Sequence, residues 1–209
     1  ETGTYYYTDN TIGKYTGEQY IDSRPYRFDS SGAIKTGLQS FDNGKACFYY
    51  NDGTWAADKM ITVEKDVYYF NADGYMATGW QTVSNNKYYF NSDGKMVTGF
   101  QAINGSTYYF GKDGAMVTGL AEIGDYRYYF GSDGKMKTGW QTINNHKYYF
   151  SDNGRMLTGW LKLSTGEYYF ATNGTMCTGF TVIGENTYYF NDDGKKHTGW
   201  KTINTTKYY

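Results

Sequence analysis

Proline is nearly missing from this chain: Pro25 is the only one in 209 residues. That excludes collagen-like and polyproline architectures and leaves no proline-rich linker between domains. Cysteine is almost as scarce. Cys47 and Cys177 are the only two, which excludes a disulfide scaffold. They fall at non-equivalent places in the pattern described below, so both are expected to be unpaired. His146 and His197 are the only histidines. Neither has sequence partners for a metal site or a catalytic triad, and both are expected to face solvent. No apolar run approaches the ~20 residues of a membrane-crossing helix, so membrane insertion is not expected. Charge of one sign is also lacking, with 20 Lys and Arg against 21 Asp and Glu. The basic residues are scattered, which argues against nucleic acid as a partner.

Aromatics and glycine fill the space. Tyr numbers 26, Phe 12 and Trp 5, beside 27 Gly. Tyrosine packs with its ring and meets water with its hydroxyl, which suits a thin structure in which few side chains are wholly buried. The residues repeat. Thr-Gly pairs begin at Thr78, Thr98, Thr118, Thr138, Thr158, Thr178 and Thr198, and Tyr-Tyr-Phe triplets begin at Tyr68, Tyr88, Tyr108, Tyr128, Tyr148, Tyr168 and Tyr188. Both series step by about 20 residues, the mark of a solenoid or array.

The unit from Trp140 shows the local logic. Trp140 to Ile143 alternates apolar and polar residues, Asn144-Asn145 is a turn pair that tolerates positive φ, and His146 to Phe150 forms a second strand. An Asp-Gly or Asn-Gly turn follows, and Met comes two residues later in six units, at Met76, Met96, Met116, Met136, Met156 and Met176. One hairpin is marginal in water, so stacking must supply the stability. The fold class predicted is all-β: a β-solenoid of stacked hairpins of ~20 residues. Alternation places Tyr148 and Phe150 toward the core, and Lys147 and Tyr149 on the other face, with Tyr149 partly exposed along a groove.

The organisation predicted has three parts. Glu1-Thr2-Gly3 reads as a vector-derived scar left by secretion. Residues 4–67 hold irregular N-terminal repeats, and 68–209 hold regular ones in one continuous solenoid. Tyr5-Tyr6-Tyr7, Ile12 and Thr16-Gly17 outline a first unit, and Tyr26-Arg27-Phe28, Ile34 and Thr36-Gly37 a second. In the third, Ala46 and Cys47 read as two extra residues, and Trp55-Ala56-Ala57-Asp58 replaces the Thr-Gly. The repeats are cut at both ends, which predicts a piece of a longer protein. Three Asn-x-Ser/Thr acceptors, at Asn104, Asn173 and Asn204, are read as incidental in a bacterial protein.

No catalytic constellation appears, and the chain is expected not to be an enzyme. The acids sit in turns, where Asp serves backbone hydrogen bonding. Asn71–Gly74 and Asn91–Gly94 begin like calcium loops but lack the later ligands and the closing Glu. Neither a metal nor a cofactor is expected.

The recurring Thr-Gly-Trp, Asn or Gly turn, Tyr-Tyr-Phe, Asp-Gly and Met resemble the cell-wall-binding repeat superfamily. It takes in choline-binding repeats, glucan-binding repeats and the C-terminal repeats of clostridial toxins. The resemblance covers residues 5–209 and implies a non-catalytic binding module of a secreted or surface-attached bacterial protein. Choline-binding repeats carry Trp-Tyr-Tyr where this chain has Lys147-Tyr148-Tyr149, and that Trp walls the aromatic cage for the ammonium. Val67, Lys87, Thr107, Arg127, Glu167, Thr187 and Lys207 hold the equivalent place. The resemblance therefore points nearer to the glucan-binding and toxin types.

Two function classes follow. One is a module that binds cell-wall polymer or other carbohydrate through aromatic grooves between repeats. The other is an adhesin- or toxin-like module that binds a host receptor, protein or glycan, through a distinctive patch such as Asp42–Lys59 or the Tyr126-Arg127 turn. A spacer stalk is a third option. Trp140 and Trp160 are the retained tryptophans in adjacent units. The expected ligand site is the gap between them, floored by Tyr149 and Tyr169, with Gln141, Asn144 and Asn145 donating hydrogen bonds.

Overall fold

A computed structural model describes residues 15–209. The sequence expectations for Glu1-Thr2-Gly3, Tyr5-Tyr6-Tyr7 and Ile12 lie outside the described residues. Among the described residues, twenty strands form ten two-stranded sheets, each joining consecutive strands, and the fold is an all-β solenoid of hairpin repeats. In order, the pairs are β1 (Gly17–Ile21) with β2 (Arg24–Phe28), β3 (Gly37–Ser40) with β4 (Ala46–Tyr49), β5 (Lys59–Val63) with β6 (Asp66–Phe70), β7 (Gly79–Val83) with β8 (Asn86–Phe90), and β9 (Gly99–Ile103) with β10 (Ser106–Phe110). They continue with β11 (Gly119–Ile123) and β12 (Tyr126–Phe130), β13 (Gly139–Ile143) and β14 (His146–Phe150), β15 (Gly159–Leu163) and β16 (Gly166–Phe170), β17 (Gly179–Ile183) and β18 (Asn186–Phe190), and β19 (Lys201–Ile203) and β20 (Thr206–Tyr208).

Compact packing divides the chain into two units. One takes residues up to Gln101 together with Phe110–Met116, and the other takes Ala102–Tyr109 and Val117–Tyr209. Within each, the same bonds join one hairpin to the next. After the hairpin, the chain turns and lays down a short bridging residue beside the Phe, as in Phe90↔Met96 and Phe170↔Met176. That residue's N–H reaches back to the preceding hairpin: Met96 donates to the Val67 carbonyl and Met176 to the Lys147 carbonyl, both at 2.8 Å. The next N–H returns to its own hairpin, Cys177 donating to the Tyr169 carbonyl at 2.8 Å. These bonds satisfy groups that a lone hairpin edge would leave to water.

The residue pattern explains each turn. Asn144 and Asn145 have φ of 49° and 64°, the mirror-image turn that matches strand twist and favours Asn. The acid turns work as expected. The Asp193 side chain accepts from the Lys195 N–H at 3.1 Å, and Asn91 accepts from the N–H groups of Asp93 and Lys95 at 3.0 and 2.9 Å.

In each unit the core is built on the last residue of the hairpins, mostly phenylalanine. Phe70, Phe110, Phe130, Phe150 and Phe190 are all 0% exposed. The tyrosine faces differ from the simple alternation. Tyr68, Tyr108, Tyr128 and Tyr168 are buried, whereas Tyr148 is only half-buried, like Tyr149. The second Tyr of a hairpin packs on the Phe of the next, as in Tyr129–Phe150 at 6.0 Å and Tyr169–Phe190 at 6.4 Å between ring centres. Tyr149 thus helps to stack the hairpins as well as lining a groove.

The third repeat corrects the sequence reading. Ala46 and Cys47 are not the inserted residues, because they pair in register with Ser40 and Gln39. The extra length lies in the Phe41–Lys45 loop, closed by Phe41 N–H on the Lys45 carbonyl at 2.9 Å. Cys47 therefore holds the first-Tyr place, and Trp55, bridged to Tyr49, holds the Met place. Neither cysteine is in a disulfide; Cys47 is buried and Cys177 half-buried. Burial pushes the Cys47 thiol up to about 11.

Candidate aromatic binding sites

Register sets the site. Trp140 on β13 pairs with Tyr149 on β14, so their side chains share a face. The rings meet edge to face at 5.3 Å. Trp140 also leans on the following hairpin, with Tyr168 edge to face at 4.9 Å and Phe170 at 5.6 Å. Phe170 is buried beneath, while Trp140 keeps 39% of its surface exposed. A cavity of about 400 Å³ opens here, lined by Trp140, Gln141, Thr142, Lys147, Thr165, Tyr168, Asp193 and Lys195. The Lys195 backbone N–H, ahead of the Lys195 ammonium 3.4 Å away, holds the Asp193 carboxyl below the usual carboxylate range.

The arrangement recurs one unit later. Trp160 meets Tyr169 and Tyr188 edge to face, both at 5.1 Å, and Phe190 at 5.9 Å. Its cavity, about 290 Å³, is lined by Trp160, Leu161, Lys162, Glu167, Tyr188 and Lys196. In the other unit, Trp80 meets Tyr89 at 5.2 Å and Phe110 at 5.7 Å. Phe100, Leu120 and Phe180 keep the same exposed place without indole. Trp55 is different: it fills a Met place, and the Arg24 guanidinium lies 4.2 Å from its ring centre.

These contacts revise the expected site. Trp140 and Trp160 do not flank one gap; each belongs to its own trio with the first Tyr of the following hairpin. Tyr168 and Tyr188, of the row read as core, also line the two cavities, and Tyr168 is itself buried as that reading expects. Tyr149 and Tyr169 do stand beside Trp140 and Trp160. Gln141 lines the cavity, but its amide already donates to the Thr138 carbonyl at 2.9 Å. Asn144 and Asn145 sit at the exposed hairpin tip, outside the lining. Thr142, Thr165, Asp193, Lys195 and Lys196, which line the two cavities, were not singled out in the sequence. Only Lys196 left a sequence signal, since it interrupts the Met row. His197 is half-buried, not solvent-facing, with its ring on Tyr189 at 6.4 Å.

Among the described residues there is no group of His, Cys, Asp and Glu fit to hold a metal, and no helix long and apolar enough to cross a membrane.

Comparison with known proteins places the chain. A model described as choline-binding repeat matches residues 77–118 and 137–178, and one described as putative cell wall binding repeat matches 61–76, 118–136 and 178–196. Choline-binding protein F of Streptococcus pneumoniae is 35% identical, with 92% of this chain and 68% of that chain aligned at a TM-score of 0.73. The chain belongs to the choline-binding, cell-wall-binding repeat family. The choline-binding domain of CbpL from the same organism is 27% identical over 88% of this chain and 98% of that one, at a TM-score of 0.66. CbpJ, also pneumococcal, is 24% identical over 97% and 94% at a TM-score of 0.73, which shows the shared fold alone. No curated protein matches significantly. The superfamily is the one the residues resemble. Within it, the matched models carry choline-binding and cell-wall descriptions. A binding repeat module that associates with the bacterial cell wall is the class these findings define.

Proposed function

We propose that the chain anchors a secreted or surface-attached bacterial protein by holding quaternary ammonium groups of a wall polymer in the aromatic trios between hairpins. The supporting observation is the Trp140–Tyr149–Tyr168 trio. Two aromatic residues, Trp140 and Tyr168, line one open cavity although the Trp of Trp-Tyr-Tyr is replaced by Lys147, and Tyr149 packs edge to face on the same indole. Each favourable cation–ring contact contributes about 0.5–2 kcal/mol. Choline-binding protein F has also been solved in complex with ipratropium; that structure aligns with 97% of this chain and 86% of its own, at 27% identity over this longer alignment and a TM-score of 0.71. Lys147 and Lys195 beside the cavity suit a group in which an anion neighbours the ammonium.

Carbohydrate is the second reading. A sugar ring would stack on Trp140 and bond Thr142, Thr165 and Asp193, which line its edge. Choline-binding protein F has also been solved in the presence of a tetrasaccharide-pentapeptide peptidoglycan analogue. The host-receptor alternative gains no support from either observation.

The test is tryptophan fluorescence during titration with choline chloride and, separately, with a neutral wall disaccharide. A saturable choline response, weakened about tenfold or more by Trp140→Ala, supports the cation sites. Saturation by the disaccharide alone would replace them with the sugar reading. Silence toward both would remove both.

A further inference from the structure

The Trp140 and Trp160 trios match ring for ring, but their surroundings differ: Gln141, Thr142 and Lys147 beside Trp140 become Leu161, Lys162 and Glu167 beside Trp160, and one further place puts a charge near the ring. The place 36 positions after the indole is Met176 for Trp140 and Lys196 for Trp160. Lys196 is held by Glu167 at both ends. Its backbone N–H donates to the Glu167 carbonyl at 2.7 Å, and its ammonium pairs with the Glu167 carboxylate. That pairing leaves the ammonium 5.5 Å from the centre of the Trp160 ring, within the range of a cation–π contact. Lys162 adds a second positive group 3.7 Å from Glu167. One carboxylate thus faces two ammonium groups beside this indole.

From this geometry we infer that Lys196 is an internal ligand: it occupies the Trp160 face and withdraws this trio from binding external ammonium groups. An entering cation meets a like charge already fixed on the ring, in a smaller cavity. Lys147 and Lys195 line the Trp140 cavity, but the place of Lys196 is there the uncharged Met176. Lys196 therefore determines which repeats are open, although the aromatic residues of both are the same. The same device recurs at Tyr189, where Lys201 lies 4.7 Å from the ring centre and bonds Asn191 at 3.0 Å. The inference rests on the cation reading proposed above.

The five tryptophans allow each site to be followed separately. Indole N–H resonances, assigned by single Trp substitutions, are recorded while choline chloride is added. In the parent chain, the Trp140 signal moves to saturation and the Trp160 signal does not. In Lys196→Met the Trp160 signal responds, with an apparent affinity raised about tenfold or more. Lys196→Arg keeps the charge and keeps Trp160 silent. Met is the residue of six other units, and the unchanged Trp140 response reports that the variant is folded. Parallel movement of Trp140 and Trp160 in the parent chain overturns the inference and leaves the cation reading standing. So does a Lys196→Met chain in which Trp160 stays silent while Trp140 responds. If no indole moves in any variant, the cation reading fails, and this inference fails with it.

Discussion

Gly154→Ala should cost far more than Gly159→Ala, although the two glycines share a backbone conformation. Their φ values are +79° and +78°. Either substitution forces an L-residue into the left-handed region, at about 1–2 kcal/mol. At Gly159 nothing lies within 4 Å of an added Cβ, so that cost stands alone. At Gly154 the Cβ would lie 2.3 Å from Met136 Sδ, 2.8 Å from its Cε and 2.9 Å from its Cγ. Met136, from the preceding repeat, is folded over the turn, and moving it disturbs the stacking. Overpacking of this kind adds about 1–3 kcal/mol. The expected losses are therefore about 1–2 kcal/mol for Gly159→Ala and about 2–5 kcal/mol for Gly154→Ala. A double-mutant cycle isolates the difference. Combining Gly154→Ala with Met136→Ala should recover about 1–3 kcal/mol relative to additivity, because the smaller side chain clears the added methyl. Urea unfolding followed by tyrosine and tryptophan fluorescence supplies the free energies. Equal losses at the two glycines, or additivity with Met136→Ala, would refute the claim that the Met row closes over the next repeat's turn.

Other expectations follow from the same packing. Phe150→Ala, which empties a wholly buried place, should destabilise by about 3–5 kcal/mol in urea titration. In the native chain a thiol reagent at neutral pH should label half-buried Cys177 well before buried Cys47, whose thiol is pushed up to about 11; the two should react alike after unfolding. Glu167 is held below its ordinary value of 4.5, chiefly by the hydrogen bond from Lys196. A carboxyl lowered on folding stabilises above its unfolded value and loses that contribution as pH falls through the folded one. The stability difference between the parent and Glu167→Gln should therefore be present at pH 7 and shrink below about pH 4.5, as acid titrations of both would show.

The sequence by itself determined the repeat length, the hairpin, both turns and the family. These are local matters: Asn-Asn and Asp-Gly dictate backbone angles within a few residues, and alternation fixes which side chains share a face. The buried place of the Phe in each hairpin was legible for the same reason. The third repeat was misread at Ala46 and Cys47 because register depends on which residues pair across the hairpin, and a longer loop can absorb the extra length invisibly. The candidate site was half legible. The contacts of Trp140 with Tyr149 and of Trp160 with Tyr169 could be read ahead because each Trp and its Tyr pair within one hairpin. The burial of Tyr168 agrees with the core reading of its row, but its contact with Trp140 was not legible, since only stacking brings the first Tyr of one hairpin against the indole of the hairpin before it. Lys196 stood out as a break in the Met row, yet its meaning required the Glu167 carboxylate and the Trp160 ring to be placed beside it. Short-range chemistry wrote the repeat; the step from one repeat to the next decided what each aromatic face is open to.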